Sequence, residues 1–148
     1  MSTSFKIVVP TDFSEGSLAA LEWVKKISDE KSAEVHCINV VHQPMVYMPM
    51  MSAVPAESIP STDQLSQVSK ESLDIFVEQH VSTLGIKPVA KVLVGRPATE
   101  IADYAKEIGA DMIIVATRGH SRLAHALLGS TAEGVLRQAE CAVLSVHC

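Results

Sequence analysis

The chain has 148 residues, 47% of them hydrophobic, which is the size and apolar share of one globular domain with a buried core. Its 12 Lys and Arg stand against 17 Asp and Glu for a formal charge of -5, with no basic stripe to track a phosphate backbone, so nucleic acid is not an expected partner. No run approaches the roughly 18 apolar residues of a membrane span and no leader-like segment opens the chain, so a cytoplasmic protein without membrane attachment is expected.

In chain order, the first strand is expected over 6–9 and leads into Pro10-Thr11-Asp12-Phe13-Ser14. A helix follows from about Ser14, where Leu18, Leu21, Val24 and Ile27 recur every three residues as one apolar stripe, with Ser14 or Asp12 as its cap. A second strand over 35–41 enters the segment 42–61, which carries Pro44, Pro49, Pro55 and Pro60 with Met45, Met48, Met50 and Met51 among them. Loops beyond about 12 to 15 residues are usually lids, partner surfaces or disordered segments. Adaptable thioethers suit a surface that repacks on a ligand or a second subunit, and a plain surface insertion is the other reading.

The next helix is expected over 63–84, with Leu65, Val68, Leu73, Phe76, His80 and Leu84 on one face and Gly85 as its stop. A third strand at 88–94 turns through Val94-Gly95-Arg96-Pro97 into a helix that opens on Pro97, buries Ile101, Tyr104, Ala105 and Ile108, and stops at Gly109. After a fourth strand at 112–116, a last helix starts at Ser130, whose hydroxyl caps it in a box with Glu133, and turns Val135, Leu136 and Ala139 to the core. The fifth strand covers Ala142–Val146.

Short Val- and Ile-rich strands that alternate with helices describe an α/β fold with a parallel sheet covered on both faces. One domain over 1–148 is expected. If the first three strands run outward in sequence and the fourth crosses back beside the first, the order is 3-2-1-4-5, a doubly wound, Rossmann-like sheet. The loops after Val9 and Val115 then face one another across the crevice where such sheets take ligands.

Those two loops hold the candidate site. Asp12 serves either as a helix cap or as an acceptor for ribose hydroxyls or an adenine amine. The second loop reads Ala116-Thr117-Arg118-Gly119, then nine residues, then Gly129-Ser130-Thr131 at a helix start. Unpaired amides, the positive end of the helix dipole and glycines without Cβ suit phosphate oxygens, and Arg118 and Arg122 add positive charge. Read separately, Gly119 is a turn and Gly129-Ser130 an ordinary helix start. Neither a G-x-x-x-x-G-K-[ST] sequence nor a G-x-G-x-x-G after the first strand is present. Cys37, Cys141 and Cys148 form no C-x-x-C pair and read as buried or incidental thiols, and the histidines have no ligand spacing, so neither a redox motif nor a metal site is expected.

The Pro10-Thr11-Asp12-Phe13-Ser14-Glu15 start, the Val94-Gly95-Arg96-Pro97 turn and the glycine loop together resemble the universal stress protein family over nearly the whole chain. The nucleotide-binding branch of that family carries G-x2-G-x9-G-[ST]; here Gly119, Gly129 and Ser130 match, and Ala116 stands where the first glycine would be. The resemblance implies an adenine nucleotide alpha-hydrolase-like fold and a cytosolic stress-response regulator that binds ATP, or AMP or ADP, with Mg2+ as an optional counter-ion. It implies Asp12 at the ribose, Val40 at adenine, and Gly119, Gly129, Ser130 and Thr131 around the phosphates, with Pro10, Thr11, Gly95, Val115, Ala116 and Arg118 completing the site. It further implies a homodimer formed through the last strand, Ala142–Val146. No nucleophile–base pair is recognisable and no catalytic residue is assigned; an interaction protein of the same fold without a nucleotide, and a slow ATP hydrolase, are the alternative functions.

Overall fold

The computed structural model describes residues 4–42, 59–117 and 128–147. Within them, β1 (Lys6–Pro10), β2 (Glu34–Val41), β3 (Val89–Val94), β4 (Met112–Ala116) and β5 (Ala142–Val146) form a parallel sheet in the order β3-β2-β1-β4-β5, as expected. The helices are α1 (Glu15–Lys31), α2 (Thr62–Phe76), α3 (Pro97–Ile108) and α4 (Ser130–Gln138).

The period of two along each strand sorts the core into two layers. Ile7, Val9, Val35, Cys37 and Ile114 meet Leu21, Val24, Leu73 and Phe76 of α1 and α2 on one face. Val8, Ile38 and Ile113 meet Ile101, Tyr104, Ala105 and Val135 of α3 and α4 on the other. His36 is buried on the α3 side, where its Nδ1 lies 2.7 Å from the Tyr104 hydroxyl and its Nε2 2.7 Å from Glu34 Oε1.

Three residues expected in the core face outward: Leu18, Val68 and Leu136. In each case the buried stripe runs through an adjacent residue, Ser17, Ser69 or Val135, and one residue is about 100° around a helix. For α2 the offset has the opposite sense, because Val68 precedes the buried Ser69.

The single helix expected over 63–84 is three kinds of turn. α2 ends at Phe76, a π turn covers Val77–Val81, and a 3-10 turn covers Ser82–Leu84 before Gly85 reverses the chain at φ 76°. Phe76 and Val81 are both buried although five residues apart, a spacing that i→i+5 hydrogen bonding brings to one side.

Capping also departs from expectation at α4. Its N-cap is Gly129, in an extended conformation, and Ser130 is already helical, so Ser130 makes no capping box with Glu133. Glu133 pairs instead with Arg137 at 2.7 Å. Among the described residues a capping box stands at α2, where Ser61 Oγ accepts from Gln64 N at 3.1 Å and Gln64 Oε1 accepts from Ser61 N at 2.8 Å. No helix among the described residues is long and apolar enough to cross a membrane.

A cavity at the carboxyl ends of β1 and β4

The chain reverses from outward to inward strand order between β1 and β4, and a cavity of about 260 Å³ opens there. It gathers Pro10 at the end of β1 with Thr11 and Asp12 after it, Val40 of β2, Val115 and Ala116 of β4, and Gly129, Ser130 and Thr131 at the start of α4. Nine of the expected site residues therefore share one wall system. Arg118 and Gly119, like the expected features of 43–58, lie outside the described residues.

The β1 side is held by its neighbours. Thr11 N donates to Ile38 O at 2.9 Å, extending the β1–β2 ladder by one bond. Asp12 Oδ1 accepts from Ser14 N at 3.0 Å, Ser14 Oγ at 2.5 Å and Ser17 Oγ at 3.1 Å. The expected alternatives for α1 resolve accordingly: Ser14 is the N-cap by position, without a side-chain cap bond, and Asp12 braces the turn. Phe13 between them has φ 66°, an uncommon conformation for a bulky residue, and its N donates to Thr11 Oγ1 at 3.0 Å. Its ring lies 5.8 Å from that of Phe76.

On the β4 side, Thr117 N donates to Val146 O at 2.9 Å and Thr117 O accepts from Gly129 N at 2.7 Å. Thr117, just past β4, is thereby tied to the start of α4, and there is no room for a Cβ at Gly129. Ala116 is paired within β4 opposite Val146 and is not in the left-handed region, so the backbone at this position does not require glycine. The start of α4, with Gly129, Ser130 and Thr131 on the cavity wall, presents the positive end of a helix dipole, which suits an anion.

Gly95 does not line the cavity. Its N donates to Val41 O at 3.0 Å, its φ is 148°, and a Cβ there would collide with Glu100, so local packing alone accounts for glycine. Conversely, Ser17, Asn39, Ile101, Pro97, Thr117 and Ala132 line the cavity although none of them is among the expected site residues. An amide between the apolar Ile38 and Val40 of β2 was the available signal for Asn39. A shallower groove of about 430 Å³ continues past Pro97, Ser130 and Thr131 to His42, Arg96 and Gln138. Among the described residues no group of three or more His, Cys, Asp or Glu could hold a metal ion.

Burial pushes the Cys37 thiol up to about 12, in keeping with a residue of the core. Cys141 is half-buried just before β5 and its thiol is also raised, chiefly by burial.

The profile of the universal stress protein family matches residues 4–147. The universal stress protein MJ0531 of Methanocaldococcus jannaschii is 38% identical over 145 residues, which span 95% of this chain and 81% of that one. A solved structure of the hypothetical protein MJ0577 is similar at TM-score 0.79 and 28% identity, covering 99% of this chain and 98% of that one. A universal stress protein solved in complex with cAMP shares the fold at TM-score 0.70 and 23% identity, covering 99% of each chain.

Proposed function

Because the chain belongs to the universal stress protein family, we propose that it is a cytoplasmic nucleotide-dependent regulator, one domain over 1–148, that takes ATP, AMP or ADP into the cavity between β1 and β4. The observation that carries this reading is the convergence of Pro10, Thr11 and Asp12 with Gly129, Ser130 and Thr131 on one cavity, with Val40 and Val115 between them. Apolar Val40 and Val115 suit the adenine ring, the Asp12 side suits ribose hydroxyls, and the start of α4 suits phosphate. Arg118 and Gly119, outside the described residues, are part of the same proposal as phosphate-binding residues. The cAMP complex of a similar fold is compatible with this reading.

The test is direct. Chain purified without added nucleotide is denatured and the supernatant analysed for adenine nucleotides, and the thermal midpoint is followed as ATP, AMP or ADP is added. Release of nucleotide, or a rise in midpoint that Gly129→Arg abolishes, is expected. Neither release nor a shift with any of the three would overturn the reading in favour of an interaction protein without nucleotide.

The same proposal includes a homodimer through β5. That strand pairs with β4 on one side, and among the described residues its outer edge has no partner strand. An open edge carrying half-exposed Val143 and Leu144 invites pairing across a two-fold axis. Light scattering should give twice the chain mass, and Leu144→Lys should reduce it to one.

A further inference from the structure

The geometry points to Asn39 as a positioning residue for the ribose end of the cavity, anchored from behind by Ser69 of α2. The inference rests on the nucleotide reading above and adds what sets the place of the Thr11–Asp12 turn.

The last backbone bond between β1 and β2 is Thr11 N to Ile38 O. Beyond it the chain turns toward Asp12, and the Thr11 carbonyl has left the ladder. Asn39 Nδ2 reaches that carbonyl at 2.7 Å, so a side chain continues the strand pairing where backbone no longer does. Because a carbonyl only accepts, the amide must present its nitrogen to Thr11 and its oxygen to the other side. There Oδ1 accepts a hydrogen bond from the Ser69 hydroxyl. Ser69 on α2 and Thr11 are both buried, and Asn39 between them is half-buried on the cavity wall, so this path from helix to turn is only partly open to water. Where one partner of such a part-buried hydrogen bond is removed, the other is left incompletely satisfied.

The consequence falls on the turn. Thr11 Oγ1 holds Phe13 N, and Asp12 lies between the two, so the carboxylate side of the cavity is placed by a carbonyl that Asn39 holds. Asn39→Asp sets an oxygen against the Thr11 carbonyl in place of a donor. Ser69→Ala leaves the bond to Thr11 and removes the group that orients the amide.

The experiment measures binding of AMP and of 2′,3′-dideoxy-AMP to the full chain by calorimetry. It compares the wild type with Asn39→Asp and Ser69→Ala, and with Leu73→Val, a trim of the same helix's core one turn from Ser69 that leaves both side-chain hydrogen bonds in place. The wild type should prefer AMP. Asn39→Asp should lower AMP affinity by roughly tenfold and collapse the preference, with Ser69→Ala smaller in the same direction, as expected for a lost part-buried hydrogen bond. Leu73→Val should keep the wild-type ratio. An unchanged ratio in either folded Asn39 or Ser69 variant, or an equal collapse in Leu73→Val, overturns the inference while leaving nucleotide binding intact. A wild type that binds neither compound overturns both.

Discussion

Gly129 and Thr117 meet backbone to backbone: the hydrogen bond between them spans 2.7 Å, and a Cβ built on Gly129 would stand 2.9 Å from the Thr117 carbonyl oxygen. That oxygen cannot swing away as a side chain would, since Thr117 N is itself bonded to Val146 O. Gly129→Ala must therefore move the start of α4. The expected cost is about 1 to 3 kcal/mol, as for an overpacked core, with weaker nucleotide binding. Urea unfolding and calorimetry on the same samples check both parts.

Ala116 leads to the opposite expectation. Its conformation suits any L residue, so Ala116→Gly restores the family's glycine without relieving strain. Nucleotide affinity should stay within about twofold, and stability should drop by about 0.5 to 1 kcal/mol from the added freedom of the unfolded chain. A large gain in affinity would show that the methyl group itself obstructs the ligand.

Gly95→Ala separates a folding requirement from a binding one. At φ 148° a side chain is strained and its Cβ would lie 2.8 Å from Glu100 Cγ, so a loss of about 1 to 3 kcal/mol is expected. Because Gly95 does not line the cavity, the folded variant should bind AMP as the wild type does.

Cys37 should make the fold sensitive to alkali. An unfolded chain releases this proton near the ordinary 9.0, whereas burial holds it in the folded chain up to about 12. The folded pKa is the raised one, so its contribution is fully present below pH 9 and is lost as pH climbs toward 12. One such proton contributes a slope of at most about 1.4 kcal/mol per pH unit. Cys37→Ala should lose less stability than the wild type between pH 8 and 10.5, and the wild-type thiol should resist iodoacetamide until the chain unfolds.

Strand order and the meeting of the β1 and β4 loops were legible in the sequence because both follow from local pattern and the topology of alternating elements. Which helical residue faced inward was less so. Leu18, Val68 and Leu136 each neighbour the true stripe, and apolarity alone does not distinguish a core position from one 100° around the helix. The capping box was sought at Ser130 and Glu133, yet Ser61 and Gln64 carry the same spacing; the close approach of Gly129 to Thr117 begins α4 one residue sooner. Asn39 and Ser69 were invisible for a different reason. They are 30 residues apart, and only the packing of α2 on β2 makes them partners.

The π turn at Val77–Val81 closes its hydrogen bonds over one residue more than an α turn would. It gives this fold a place to absorb a change of length. Deleting a single residue there should restore a plain α-helix while Ser69 and Phe76 upstream and Gly85 downstream keep their stations. Homologous chains one residue shorter in this stretch could then be aligned through it without shifting anything that touches the cavity.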